Sequence, residues 1–214
     1  MGDRAWDSRV MAYASRTGTK RNLAAFRLAG WRILISAQGV LRTEGFPYAI
    51  DNGAWTAHTK GIPFDVAKFV KAVEMLGADA DWVACPDIVC GGMESLTLSL
   101  KWLPWVLART RVALIPVQPG MTADDLAPYL GYRVGLFVGG DDEWKDRTMG
   151  EWSRLAHRHG ALCHVGRVNT RGRIRLCAAA GADSFDGTSG SRFAVNVPII
   201  DSWRRQTSLL SMVN

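Results

Sequence analysis

Three aspartates stand just after short apolar segments of the sequence, where parallel strands would end. They are Asp51, Asp87 and Asp186. Carboxylates that converge on one site are costly unless a substrate or hydrogen bonds satisfy them. Two of them could share acid–base and nucleophilic work, while a third beside an amide, such as Gln118, could bind the hydrogen-bonding edge of a purine. Taken singly, each aspartate is equally well explained as a loop or helix cap.

The stretch Gly160–Phe193 shows how one of these acids is placed. Its pattern predicts a strand over Ala161–Val165, a helix over Arg171–Ala180 and a second strand over Ala182–Phe185, which together make one unit of a parallel sheet. Asp186 then lies at the carboxyl end of the second strand. Basic side chains share the same rim, namely Arg167, Arg171 and Arg192. An acid for chemistry beside cations for an anionic substrate is the expected arrangement.

Eight apolar segments alternate with helices or long connections along the whole chain. The predicted strands are Arg9–Ala14, Arg32–Ala37, Phe46–Ile50, Trp82–Cys85, Val112–Val117, Val134–Val138, Ala161–Val165 and Ala182–Phe185. Their apolar runs are continuous, which is typical of strands buried on both faces. The sequence therefore predicts a single (β/α)8 barrel domain over residues 1–214, with a doubly wound open sheet as the alternative. Helices are predicted at Thr148–His157 and Pro198–Met212, among others.

Composition narrows the classes of protein that fit. With 48% hydrophobic and 21% charged residues, the 214-residue chain resembles an ordinary globular protein. No apolar run is long enough to cross a bilayer, and the first nine residues lack the apolar core of a signal peptide. The four cysteines lie singly, which predicts reduced thiols and a cytoplasmic location. A net charge of +6 favours a polyanion such as nucleic acid, although a basic surface without special meaning also fits.

In a barrel of this kind the active site lies where the strands end. The polar and glycine residues at those ends form a restricted set, and they define the expected pocket. They are Asp51, Asp87, Gln118, Gly139, Gly140, His164, Gly166 and Asp186.

Two of these stretches resemble catalytic motifs of the tRNA-guanine transglycosylase superfamily. Asp51-Asn52-Gly53 resembles the Asp-Ser-Gly-Gly motif, whose aspartate is the general acid/base in that family. The stretch from Gly181 to Asp186 resembles Gly-Val-Asp-Met-Phe-Asp, whose last aspartate is the nucleophile. Arg192 falls at the spacing of the arginine of that motif, although it could instead pair with Asp183.

Four further stretches resemble the base-binding motifs of the same superfamily. Asp87 matches the base-binding aspartate, and Gln118 lies in a Val-Gln-Pro-Gly stretch that resembles Val-Gln-Gly-Gly. Gly139-Gly140 resembles the pair whose backbone meets the base, and the stretch from His164 to Gly166 resembles the Leu-Met-Gly segment that lines the pocket. The motifs follow the family's order from about Asp51 to Phe193.

The chain most resembles the phage and bacterial DNA-modifying branch, the DpdA-like 7-deazaguanine DNA transglycosylases. The tRNA enzymes carry a Cys-x-Cys-x-x-Cys…His zinc site, whereas no Cys or His follows Cys177 here, so no metal and no cofactor are expected. The resemblance implies that guanine in DNA is replaced by a 7-deazaguanine such as preQ0. Asp186 would form a covalent bond to the sugar, and Asp51 would handle the protons. The target base must leave the stack to reach the pocket.

Several residues lie outside these motifs or leave alternatives open. Arg167, Arg171, Arg173 and Arg192 are predicted to bind DNA phosphates, and Trp55 is the best candidate to stack on a base. A metal site at Cys85 and Cys90, with or without Cys163 and His164, is disfavoured because no second cysteine pair accompanies them. A glycosidic hydrolase on the same barrel and a non-catalytic nucleic-acid-binding barrel remain the alternative functions.

Overall fold

Eight parallel strands form a closed barrel in which each strand pairs with its neighbours in chain order. The structure is a computed structural model that describes residues 10–210. Tyr13 on the first strand lies opposite Asp186 on the last, and this pairing closes the barrel. The predicted (β/α)8 barrel is confirmed, and the open sheet is excluded. The strands are β1 Met11–Ser15, β2 Arg32–Ser36, β3 Tyr48–Asp51, β4 Val83–Ala84, β5 Ala113–Val117, β6 Val134–Val138, β7 Cys163–Val165 and β8 Ser184–Gly187.

Helices occupy most of the connections between successive strands, the β2–β3 connection excepted, and two more follow β8. They are α1 Lys20–Ala29, α2 Ala54–Thr59, α3 Val66–Leu76, α4 Gly92–Leu107, α5 Ala123–Leu126, α6 Asp142–Arg158, α7 Arg171–Ala179, α8 Ser189–Arg192 and α9 Asn196–Leu210. The predicted cap of α5 is present, because Thr122 and Asp125 bond to each other's backbone N–H in a capping box. None of the helices within residues 10–210 combines the length and the apolar character needed to cross a membrane.

Both faces of the barrel wall are buried, and this explains the continuous apolar runs of the strands. Inside the barrel, Tyr13, Leu34, Trp82 and Leu114 belong to one apolar cluster. The alternate strand residues, such as Ile33, pack outward against the helices in a second and larger cluster. Side chains therefore fill the interior of the barrel, and a ligand can enter only at its ends.

Several boundaries differ from the sequence-based expectation, and those nearest the carboxyl ends of the strands concern β8, α6 and α2. Strand β8 begins and ends two residues later than predicted, so Asp186 lies inside the strand. Helix α6 begins at Asp142 instead of Thr148, because the side chain of Asp141 accepts a hydrogen bond from the N–H of Trp144 and caps it. Helix α2 was not predicted from the sequence. Arg9 and residues 211–212, at the ends of predicted elements, lie outside the described residues.

Candidate active site

A pocket of about 850 Å³ opens at the carboxyl ends of the strands. Five aspartates line it: three come from β3, β8 and the β4–α4 connection, and Asp141 and Asp142 lie at the start of α6. Of the residues predicted from the sequence to form the site, those that line it are Asp51, Asp87, Gln118, Gly139, Gly140, Arg167, Asp186 and Arg192. His164, Gly166, Arg171 and Arg173 do not line it, although His164 and Gly166 contact residues that do.

Asp51 ends β3, and the turn that follows is built around it. Its Oδ2 accepts a hydrogen bond from the N–H of Gly53 at 3.1 Å. Gly53 has φ of 85°, and a Cβ there would lie 2.4 Å from the side chain of Gln38, so only glycine fits this turn. Burial, together with the nearby charges of Asp186 and Asp87, raises the pKa of Asp51 to about 7. At neutral pH this carboxyl can both give and take a proton.

Asp87 is held by two amide side chains, one on each carboxylate oxygen. Asn52 Nδ2 donates to Oδ1 at 2.8 Å, and Gln118 Nε2 donates to Oδ2 at 2.6 Å. Burial raises the pKa of Asp87 to about 6, and the two amide hydrogen bonds oppose that shift because they favour the ionised form. A carboxylate has about four acceptor positions, so Asp87 keeps capacity for a ligand that carries N–H groups.

The amide of Gln118 is fully engaged with the protein. Besides Asp87, its Nε2 donates to Ser95 Oγ at 3.2 Å, and its Oε1 accepts from the N–H of Gly91 at 3.1 Å. Asn52 is similarly occupied, since its Nδ2 also donates to the carbonyl of Cys85. Both amides therefore act on a ligand mainly through the orientation of Asp87.

Asp186 faces the opposite side of the pocket and is held through one oxygen. Its Oδ1 lies 3.1 Å from His164 Nε2 and accepts the backbone N–H of Arg167 at 3.2 Å. Gly166 permits this approach, because a Cβ there would lie 2.7 Å from the ring of Phe137. His164 lies beneath Asp186 inside the barrel, and its side chain is only 1% exposed.

Lys145, which the sequence did not single out, braces the same loop from α6. Its Nζ donates to the carbonyl of Gly166 at 2.7 Å and lies 3.1 Å from Asp142. Burial and the charge of Arg167 lower the pKa of this lysine, while Asp142 opposes the shift. No sequence motif marks Lys145. The helix that carries it was predicted to begin at Thr148, three residues after this lysine.

Trp55 and Arg167 form a stacked pair at the mouth of the pocket. The guanidinium of Arg167 lies 3.8 Å from the centre of the Trp55 ring and donates to the carbonyl of Gly140. Trp55 is 43% exposed, and Arg167 adopts a left-handed backbone with φ of 58°. This pair links the connections after β3, β6 and β7 across the pocket.

The predicted DNA-binding arginines have different surroundings. Arg192 is exposed on the pocket rim, and its guanidinium makes no ion pair or hydrogen bond with the residues that the structure describes. Arg171 is exposed on α7, outside the pocket. Arg173 pairs with Asp142 at 2.6 Å and with Asp146 at 3.1 Å. Asp183, the alternative partner of Arg192, instead accepts the N–H of Cys163 and contacts His157.

The cysteines do not assemble into a ligand set. Cys85, Cys163 and Cys177 are buried, and burial raises the pKa of each thiol to about 12. Within the described part of the chain, no group of three or more His, Cys, Asp or Glu side chains has a geometry that could hold a metal ion. The candidate chemistry of the pocket therefore centres on its carboxylates.

No protein-family model matches the chain, and no curated protein matches its sequence. Its function must therefore be inferred from the pocket itself. Three carboxylates meet there in different surroundings: Asp186 beside a buried imidazole, Asp87 between two amides, and Asp51 close to the other two acids.

Proposed function

We propose that this protein is a base-exchange enzyme that replaces guanine in DNA with a 7-deazaguanine such as preQ0. The convergence of Asp51, Asp87 and Asp186 in one pocket, each with a different set of partners, carries this proposal. Environments that separate otherwise identical carboxyl groups are typical of sites where the groups have different roles. The resemblance to the guanine transglycosylases assigns those roles as nucleophile, proton carrier and base ligand.

Asp186 is the proposed nucleophile. Its carboxylate attacks C1′ of the target nucleotide, a bond forms between oxygen and C1′, and the C1′–N9 bond breaks with its electron pair going to the base. The sugar then remains covalently attached to the protein. In the second step N9 of the incoming base attacks C1′ from the vacated side, the bond to Asp186 breaks, and the carboxylate is restored. Two inversions give overall retention of configuration.

Asp51 is the proposed proton carrier. With a pKa near 7, it is partly protonated at neutral pH and can give a proton to the departing guanine. The ionised carboxylate left behind can then take the proton from N9 of the incoming 7-deazaguanine. The two steps use the same group in opposite directions, and no proton is gained or lost overall.

Asp87 is the proposed base ligand. Guanine and 7-deazaguanine share an edge that carries N1–H and a 2-amino group, and an ionised carboxylate accepts from both. Gln118 and Asn52 hold Asp87 in place, and the backbone at Gly139 and Gly140 adds peptide groups on the same pocket wall.

DNA is the proposed macromolecular partner. The net charge of +6 favours a polyanion, and the guanidinium of Arg192, which has no partner among residues 10–210, stands on the rim of the pocket. The pocket lies at the bottom of a barrel mouth, so a base must be extruded or already single-stranded to enter. The exposed face of Trp55 is a candidate surface for stacking.

The test is mass spectrometry of nucleosides from DNA incubated with the protein, with and without preQ0. We expect loss of deoxyguanosine and a matching gain of the preQ0 nucleoside, and Asp186→Ala should reduce both by about 10³-fold or more. The control is that Asp186→Ala remains folded, with a melting temperature close to that of wild type. Guanine release without insertion would indicate the hydrolase, and DNA binding without either product would indicate the non-catalytic barrel.

A further inference from the structure

The imidazole of His164 is fixed in one position by the barrel interior. The ring packs against Trp82 with 4.6 Å between centroids, against Phe137 at 4.9 Å and against Tyr13 at 5.8 Å. Its two nitrogens have one polar contact each: Nδ1 lies 2.8 Å from Ser184 Oγ, and Nε2 lies 3.1 Å from Asp186 Oδ1. Ser184 and Asp186 are two residues apart on β8, so both contacts come from the same face of one strand.

The proton positions along Ser184, His164 and Asp186 follow from the chemistry of the three side chains. An ionised carboxylate only accepts, so His164 Nε2 must carry the hydrogen that lies between it and Asp186. In the neutral imidazole Nδ1 is then an acceptor, and the hydroxyl of Ser184 can donate to it. The serine therefore supports the tautomer that Asp186 favours, in which an N–H is directed at the nucleophile, as hydrogen bonds at the far nitrogen do for other functional histidines.

The two oxygens of Asp186 are not equivalent. Oδ1 receives the His164 Nε2–H and the N–H of Arg167, whose left-handed backbone turns that N–H toward the carboxylate. Oδ2 has no hydrogen-bond partner among the residues that the structure describes. One oxygen is therefore restrained by two donors, whereas the other keeps its lone pairs for a ligand in the pocket.

We infer that His164 and Ser184 are positioning residues that restrain Oδ1 of Asp186 and so make Oδ2 the atom that attacks the sugar. This inference rests on the proposed function. On attack the Oδ2–C1′ bond forms and the C1′–N9 bond breaks. When the incoming base attacks, the Oδ2–C1′ bond breaks and the negative charge returns to the carboxylate, where the two N–H groups at Oδ1 stabilise it. His164 keeps its proton throughout.

The sequence resemblance placed His164 among residues that line the base pocket, and the geometry assigns it a different task. It does not line the pocket, and its nitrogens contact only residues of β8. A role restricted to packing is the competing explanation, because three aromatic rings surround it. The experiment must therefore separate the N–H group from the shape of the ring.

His164→Phe removes the donor and keeps an aromatic ring, whereas His164→Gln keeps an N–H near the position of Nε2. Ser184→Ala removes the group that supports this tautomer at Nδ1. Tyr48→Phe is the matched control, since it removes a partly buried hydrogen bond to the carbonyl of Leu76 and leaves the hydrogen bonds of His164 and Asp186 in place. Single-turnover release of guanine from DNA, affinity for preQ0 and the melting temperature are measured for each variant.

We expect His164→Phe to slow guanine release by about 10- to 100-fold, the effect of losing one hydrogen bond to a charged group. Affinity for preQ0 should stay within about threefold of wild type, since Asp87 is unaffected. His164→Gln should recover most of the rate, Ser184→Ala should lose a smaller part of it, and Tyr48→Phe should release guanine at the wild-type rate even where its melting temperature falls.

Nitrogen NMR of the imidazoles supplies a readout independent of turnover. The chain has four histidines, and the His164 signals are assigned by their loss in His164→Phe. The inference requires a proton on Nε2, and a weaker preference for that tautomer in Ser184→Ala. A proton on Nδ1, a wild-type rate in His164→Phe, or equal rates for the Phe and Gln variants would overturn it. Wild-type protein that exchanges no base would instead overturn the proposed function on which it rests.

Discussion

On the β7–β8 side of the pocket, Asp186 accepts two N–H donors on one oxygen, whereas on the β3 side Asp51 accepts one and lies close to two other carboxylates. The β3 arrangement favours a group that holds a proton at neutral pH. The β8 arrangement favours a restrained anion with one oxygen exposed. The same side chain therefore gains two chemistries from the backbone and the neighbours that its strand supplies.

Asp87 stands between these extremes. Like Asp51 it is buried and its pKa is raised, but like Asp186 it has neutral donors directed at its carboxylate. Burial favours the protonated form and the amides favour the ionised one. The protonated and ionised forms of Asp87 are therefore similarly populated near pH 6. The hydrogen bonds from Asn52 and Gln118 decide whether Asp87 binds a ligand as an anion.

Removing the carboxyl group of Asp51 should produce the largest change on the β3 side. Asp51→Asn cannot carry a proton, but its amide oxygen can still accept the N–H of Gly53, so the turn is preserved. We expect base exchange to fall by about 10²- to 10⁴-fold, the usual range for a general acid/base. Affinity for preQ0 should change little. A variant with the wild-type rate would assign proton transfer to another group.

The same variant should also be more stable than wild type at alkaline pH. Because the pKa of Asp51 is raised to about 7 in the folded protein, the protonated form stabilises the fold below the unfolded value near 4, and that contribution is lost as pH rises through about 7. Asparagine does not titrate. The melting temperature of Asp51→Asn relative to wild type should therefore rise from pH 5 to pH 8. The rise should be roughly 2–4 °C for each kcal/mol of unfolding free energy that the wild type loses over this range. A pH-independent difference would contradict the shifted pKa.

Gln118→Ala should have a smaller effect, because it disturbs Asp87 without removing it. We expect affinity for preQ0 to fall by about 10- to 100-fold, as when a buried charged group loses a hydrogen bond. The loss should be greater at pH 6 than at pH 8, because removing a donor raises the pKa of Asp87 further and leaves less of it ionised at the lower pH. Calorimetric titration at both values measures the difference.

Ser95→Ala is the matched control for this variant. It removes one contact of Gln118 Nε2 and the hydrogen bond that Ser95 Oγ accepts from the N–H of Ile88, but it leaves the hydrogen bond to Asp87. Its affinity for preQ0 should stay close to wild type at both pH values. If the affinity of Gln118→Ala for preQ0 falls by the same factor at pH 6 and at pH 8, the amide contacts the base directly and does not act through the ionisation of Asp87.

The barrel and the strand-end acids could be predicted because both depend on local patterns. Continuous apolar runs mark strands buried on two faces, and a polar residue directly after such a run lies at the barrel mouth. The resemblance in motif order supplied the proposed roles. The predicted end of the last strand, Phe185, was wrong by two positions, since β8 extends to Gly187.

The supporting contacts could not be predicted because they depend on distances between elements. Nothing in the sequence pairs His164 with Ser184, and nothing indicates that Lys145 reaches the carbonyl of Gly166. The pairing of Arg173 with Asp142 and Asp146 likewise joins two helices. Charge counted along the chain therefore does not distinguish a free cation from one already satisfied by a carboxylate.

The smallest expected effect concerns the salt dependence of DNA binding, which reports the arginines that are free to contact phosphates. Arg192 stands unpaired among the described residues at the pocket rim, whereas Arg173 is held by two carboxylates. Each phosphate contact contributes about 0.7 to 0.9 to the slope of log affinity against log salt. Arg192→Ala should therefore flatten the slope by about that amount, and Arg173→Ala should leave the slope unchanged. Arg171, exposed beyond the rim, should contribute only if the DNA path extends across α7.

The measurement is a salt titration of DNA binding for wild type and the three alanine variants, with preQ0 affinity followed in parallel. Base and backbone are contacted by separate groups, so preQ0 affinity should be constant across the set. If Arg173→Ala flattens the slope as much as Arg192→Ala, the ion pairs with Asp142 and Asp146 must open when DNA binds. Because Asp142 also contacts Lys145, which supports Gly166 beneath the nucleophile, such an opening would couple the DNA path to the β7–β8 side of the pocket.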